Sequence, residues 1–303
     1  MAVHRRLTVH YIKKSPIDWI FDIFNWIMLS LFMFACIFPI WYVFAYSISD
    51  PQEAARGITL IPRGLTLFNY SKVMSMNSIY RATVISVART VIGTGLVLFA
   101  CSFFGYLVSK KEMWFRKFVY RSTIITMYFS AGLIPYYLWI RTLGLRNNYL
   151  VYVIPGMVSA FYVILIKTFI EQLPDSLEES AKLDGAGYVQ CYARIVLPLI
   201  KPILATIVVF TAVGQWNSFM DAFLFTSRPE MQPLQLMLWR MLQQTNAISR
   251  MLTPEEMGVR AQQLTPITVR MTITMITIIP IMLVYPFAQK YFTKGLLLGA
   301  IKG

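Results

Sequence analysis

Five of the chain's fourteen carboxylates, Glu171, Asp175, Glu178, Glu179 and Asp184, fall in one stretch, Glu171 to Pro202, EQLPDSLEESAKLDGAGYVQCYARIVLPLIKP. A stretch this polar cannot lie in hydrocarbon and must sit at a membrane surface. Bond-making chemistry lacks its other parts. The only histidines, His4 and His10, lie in the N-terminal tail, no HExxH occurs, and no GxxxxGK[ST] supplies a phosphate cradle. Cys36, Cys101 and Cys191 are far apart, form no CxxC and fit packing as small apolar residues. The sequence therefore predicts no catalytic residue, no metal site and no cofactor bound by this chain.

The Glu171 to Pro202 stretch reads locally as two short helices around a glycine turn. Pro174 stops the helix before it, and Ser176 followed three residues later by Glu179 is a capping-box pattern that starts another. Gly185 and Gly187 end it, which predicts one helix from Leu177 to Asp184 and a second from Tyr188 to Val196, closed by Pro198. Leu177 and Ala181 share a face of the first helix, with charges on the others, forming a small apolar knob in a charged collar. An ordinary capped loop helix, with Glu179 and Gly185 serving only the backbone, would have the same local pattern.

Two further groups carry polar chemistry inside apolar runs. Arg89 sits within VISVARTVIGTGLVLF, where a guanidinium must snorkel outward, pair with a neighbouring helix or meet an anionic substrate. Gln215, Trp216, Asn217 and Asp221, in GQWNSFMDAFLF, recur at spacings that place pairs on one helix face. They suit either a cavity lining or an interfacial belt. Gly93 and Gly95 permit a close helix contact, and Thr268, Thr272, Thr274 and Thr277 suit helix packing better than sugar contact.

The elements that hold these residues are membrane spans. Of 303 residues, 57% are hydrophobic and only 14% charged, a balance that fits a chain whose solvent is largely lipid. Apolar runs at residues 26–48, 84–108, 119–140, 150–170, 203–225 and 267–288 each approach the roughly twenty residues a bilayer requires. The sequence predicts an all-α polytopic membrane protein with six transmembrane helices in one domain, residues 1–303. The first run is too long for a signal-peptide core and reads as a retained span. Lys and Arg concentrate in the N-terminal tail, in the second connection (Lys110, Lys111, Arg116, Lys117, Arg121), around the polar stretch (Lys167, Lys182, Arg194, Lys201) and in the C-terminal tail. These segments share one side of the membrane, so both termini and the polar stretch are expected in the cytoplasm. The net charge of +14 is accounted for by that bias and by anionic headgroups, with no call for nucleic acid. Residues 49–78 and 226–265 become extracytoplasmic loops. The first is long enough for a small cap, and the second contains LQLMLWRML, a short amphipathic helix suited to docking a partner. Pro135, Pro155 and their neighbouring glycines are expected to bend the third and fourth spans.

Glu179, Ala181, Asp184, Gly185, Ala186, Ile195, Leu197, Pro198 and Pro202 match the EAA loop of ABC-importer permeases, with Ser180 departing at the first Ala. The whole chain resembles the inner-membrane permeases of the carbohydrate-uptake family, near the smaller permease of the maltose system. The WN at Trp216 and the tail KGLLLGAIKG are similar to the oligo- or polysaccharide branch. The resemblance implies a type I importer fold in a bacterial cytoplasmic membrane and an EAA coupling loop over residues 171–202. Leu177, Glu179, Ala181, Asp184, Gly185, Ile195, Leu197 and Pro198 would then couple to ATPase subunits. It implies as partners a second homologous permease, two ATPase subunits carrying ATP and Mg, and an extracytoplasmic solute-binding protein. The substrate would be an oligosaccharide, and acidic if Arg89 meets it. The alternative from another class is a polytopic transferase acting on lipid-linked sugars.

Overall fold

The computed structural model describes residues 15–55, 57, 61–251 and 266–300. Their regular structure is helical, apart from one isolated antiparallel bridge between Ser49 and Leu65. Helix α1 (Pro16–Ser47) starts ahead of the apolar run expected at Trp26, because Ser15 and Asp18 close a capping box at its N-terminus. Only its last turn, Ala45 to Ser47, is buried, so its body is an apolar rod facing outward.

Helix α4 (Asn77–Ser109) is the axis of the bundle. Its buried residues recur every three or four positions, from Ile79, Ala82, Ser86 and Arg89 through Gly93, Val97 and Cys101 to Gly105. Two glycines admit close neighbours. A Cβ on Gly93 would lie 2.8 Å from Gln215, and one on Gly105 would lie 3.0 Å from Ile166. Gly95 has open space where its Cβ would be, so only one of the two expected glycine contacts forms.

The third, fourth and fifth apolar runs are not single helices. The third is α5 (Arg116–Ile125) and α6 (Leu133–Thr142), parted where Gly132 takes φ +84°. In the fourth, a 3-10 turn at Tyr149–Tyr152 and a turn through Pro155 and Gly156 precede α7 (Ala160–Ile170). The fifth is α11 (Lys201–Asn217) followed, after an extended Ser218, by α12 (Met220–Phe225). Proline and glycine therefore break the third and fourth runs rather than bending them, since proline cannot donate to the ladder and glycine opens left-handed backbone. Among the described residues three helices are long and apolar enough to cross a membrane unaided: Pro16–Ser47, Asn77–Ser109 and Ile267–Pro286.

The loops at the far end are ordered by side chains. α2 (Pro51–Ala55) and α3 (Phe68–Met74) form a small cap. Asn69, fully buried, donates through Nδ2 to the carbonyls of Ser47 at 3.0 Å and Ser49 at 2.7 Å. LQLMLWRML opens α13 (Leu234–Met251), as its pattern predicts, and Leu234, Leu236 and Leu238 are buried. The last helix, α14 (Pro266–Ala300), runs through Pro280 and Pro286 and past the expected end of its span. Thr272, Thr274 and Thr277 each donate to a carbonyl four residues back, so these hydroxyls serve the helix itself. Residues 1–14 and 252–265, with their expected positive tail and loop charges, lie outside the described residues.

Candidate functional site

The polar stretch folds as α8 (Ser176–Leu183), a glycine turn, α9 (Tyr188–Cys191), a π-helical turn at Tyr192–Val196 and α10 (Leu197–Leu199). Pro198 does not close the second helix. It stands inside α10, and the chain turns by 79° into α11 at the next residues. The end of α8 is a Schellman motif. Gly185 takes φ +84° at C′, its N–H bonds Lys182 O at 3.0 Å, and Ala186 N–H bonds Ala181 O at 2.9 Å.

The start of α8 corrects the expected capping box. The cap residue is Asp175, not Ser176, and no side chain caps the first amides. Asp175 is drawn instead to Lys111 at 2.9 Å, and its carbonyl receives the N–H groups of Glu178 and Glu179. Glu179 therefore does not fix the helix start. It is exposed, as is Asp184, and neither makes an ion pair with another described residue.

The other three acids are held from within. Lys110 pairs with Glu178 while lying over the Tyr106 ring, and both charged side chains are largely buried. Arg116 pairs with Glu171, which also receives Lys167 at 2.6 Å, and Lys182 of α8 reaches Glu112 at 2.9 Å. The connection between α4 and α5 thus grips the polar stretch at four points. The hydrogen bond between Lys111 and Asp175 lowers the carboxyl below its ordinary value and raises the lysine above its own. The Lys182 bond to Glu112 acts in the same two directions. Beneath this clamp lies a cleft of about 230 Å³ whose wall includes Lys110, Arg116, Leu177 and Ile195.

The face expected to form the knob keeps an exposed Leu177 beside a more exposed apolar neighbour. Leu177 is 42% exposed but turns toward that cleft, and Ala181 is half-buried. The outermost apolar side chain is Leu183, 89% exposed, with Val189 at 67% on the next helix. Leu183 was legible in the sequence only as the last apolar residue before the glycine turn. The clamp cations carried no signal beyond their positive sign.

Arg89 is buried, 1% exposed, and neither snorkels nor faces open space. Its NH2 donates to Asp221 Oδ2 at 2.6 Å and to Gln215 Oε1 at 3.2 Å; its NH1 donates to Ser218 O at 3.0 Å. The guanidinium lies 4.7 Å from the Tyr152 ring centroid. Of the four pathway candidates on the fifth span, Gln215 and Asp221 therefore converge on Arg89. Trp216 turns the other way, donating to Thr277 O at 3.0 Å in the contact with α14, and Asn217 is exposed. The break between α11 and α12 is what allows Ser218 O and Asp221 to reach the same guanidinium. No group of three or more His, Cys, Asp or Glu suited to a metal occurs among the described residues.

Residues 8–297 match the family described as binding-protein-dependent transport system inner membrane component. The chain belongs to that permease family. The permease is 35% identical over 285 residues to the polygalacturonan/rhamnogalacturonan transport system permease protein YtcP of Bacillus subtilis, covering 94% of this chain and 99% of that one. It is 34% identical to Protein LplC of Bacillus subtilis, covering 97% and 99%. A crystal structure of a bacterial ABC transporter involved in the import of the acidic polysaccharide alginate contains a chain that superposes with TM-score 0.85 at 31% identity, covering 93% of this permease and 99% of that chain. The all-helical architecture is thus that of an importer permease, a transport subunit and not an enzyme. The transferase alternative has no support. Membership implies an inner-membrane setting, ATPase partners and a solute-binding protein.

Proposed function

We propose that this permease moves an oligosaccharide or polysaccharide bearing carboxylates across the cytoplasmic membrane, driven by ATP hydrolysis on two partner subunits. The chain crosses six times as one domain, with broken third, fourth and fifth spans and both termini in the cytoplasm. Residues 171–202 dock into the ATPases, and residues 49–78 and 226–265 face the binding protein. A second homologous permease completes the passage. The observation that carries the mechanism is the clamped polar stretch. Glu171, Asp175 and Glu178 are consumed by internal cations, whereas Glu179, Leu183 and Asp184 remain outward on a helix fixed at both ends. Such an element can transmit ATPase closure to α4, α7 and α11 without bending, because Lys110 caps the end of α4, Glu171 caps the end of α7, and the stretch itself runs on into α11. Leu183 replaces Leu177 as the main apolar contact, Gly185 sets the turn, and Ile195, Leu197 and Pro198 carry the motion into the 79° bend.

The substrate class is drawn from the similarity to a polygalacturonan/rhamnogalacturonan permease and to an importer of an acidic polysaccharide. The test is the ATPase rate of the reconstituted complex with binding protein loaded with oligogalacturonate or with a neutral maltooligosaccharide. The expected result is stimulation by the acidic sugar. Stimulation only by the neutral one overturns the substrate class, and the absence of any ATPase association overturns the importer mechanism.

A further inference from the structure

The break in the third span exposes backbone that a lipid environment does not tolerate. Helical bonding in α5 ends with Met127 N–H to Ile124 O and Tyr128 N–H to Ile125 O. The peptide groups of Phe129, Ser130 and Ala131 then make no hydrogen bond to other described residues, and Gly132 N–H reaches only Ser130 Oγ at 3.4 Å. This gap falls midway between Arg116, tied to the cytoplasmic clamp, and Thr142 at the opposite end of α6. Non-helical backbone at mid-membrane depth persists only where it is buried in protein or lines a water-filled cavity. Here it is not buried in this chain, because Phe129 is 79% exposed.

Beside the gap lies an open cleft of about 750 Å³, within the size range of small-molecule sites. Its walls include Phe129, Tyr136 and Trp139, the last two one helical turn apart on α6, with Trp139 62% and Tyr136 43% exposed. Tyr136 packs edge-on against Phe225 at 5.8 Å, which fixes it to α12, the helix that carries Asp221. Among the described residues, no Lys or Arg lines the cleft. The nearby guanidinium, Arg89, is spent on Asp221 and Gln215.

We propose that this cleft is a sugar-stacking subsite of the translocation path, and that it reads pyranose rings by their faces rather than by their charge. The apolar C–H face of a pyranose lies flat on the Phe129 and Trp139 rings. Its equatorial hydroxyls bond the Tyr136 phenol and the unpaired peptide groups of Phe129 to Ala131, which suits a hydrated polyol and no lipid. The inference rests on the oligosaccharide reading above. It separates ring recognition from acid recognition, since the cleft holds no free cation for a carboxylate.

The test is uptake of labelled trigalacturonate by proteoliposomes containing the complete complex and its binding protein. Trp139→Ala and Phe129→Ala are expected to lower uptake about tenfold, while Trp139→Phe, which keeps a ring, retains most of it. The second permease and the ATPases must still copurify with the variants. Undiminished uptake by Trp139→Ala overturns the subsite. Loss of the second permease from the Trp139→Ala complex also overturns it, because the cleft would then be a subunit interface. If the wild-type complex takes up trigalacturonate and the variants match it, only the subsite fails; if the wild type takes up no sugar, the transport reading fails as well.

Discussion

A guanidinium 1% exposed inside an apolar bundle survives only because it is paired and hydrogen-bonded on every side. Removing one partner should therefore cost more than removing both. Asp221→Ala is expected to destabilise the permease by about 3–5 kcal/mol, and Arg89→Met with Asp221→Leu together by less than either alone. Thermal unfolding of the purified complex in detergent checks this, and an Asp221→Ala complex as stable as wild type would contradict it. Gly93→Ala tests the same network from its edge. The new Cβ would come within 2.8 Å of Gln215, pushing that side chain off Arg89, so a drop in unfolding temperature is expected in the same assay. The cost of Arg89 was legible in the sequence. Its partner was not, because Asp221 is 132 residues away and nothing in a helix pattern reports a pairing across two spans.

At the scale of elements, the grip of the α4–α5 connection on α8 decides how the polar stretch behaves. Glu178→Lys sets two lysines face to face at the least exposed point of the clamp and is expected to lower uptake per ATP hydrolysed. Adding Lys110→Glu reverses the pair and should restore the ratio; failure of that rescue would show that Glu178 acts otherwise. The exposed pair of Lys111 and Asp175 titrates at the edges of the range. A lowered carboxyl contributes above the ordinary carboxylate value and is lost as pH falls through the lowered one. A raised lysine contributes below its ordinary value and is lost as pH rises through the raised one. Coupling through this pair should accordingly be flat from about pH 5 to about pH 9, which uptake per ATP measured across that window would show. Element boundaries were legible where residue type acts alone: Gly185 ended α8, and LQLMLWRML formed a helix. They were illegible where a tertiary partner intervened. Lys111 took Asp175 away from its own helix amides, and the breaks at Gly132 and Ser218 left no trace in hydropathy, which counts apolar residues without regard to their backbone.

For the whole molecule, the all-helical permease fold was readable because lipid imposes a characteristic length and composition on apolar helices. The long-range architecture was not, since α4 draws its contacts from α7, α11 and α13, elements well apart in sequence. The account holds that a rigid polar stretch, turned by Gly185, converts ATPase closure into movement of the spans. The measurement that tests it most directly is uptake and ATP hydrolysis in the same proteoliposomes for wild type and Gly185→Val. A valine at φ +84° is strained in the Schellman turn and re-aims α9 relative to α8. Hydrolysis that continues while uptake falls by an order of magnitude or more is the predicted result; an intact complex with unchanged uptake would contradict the account.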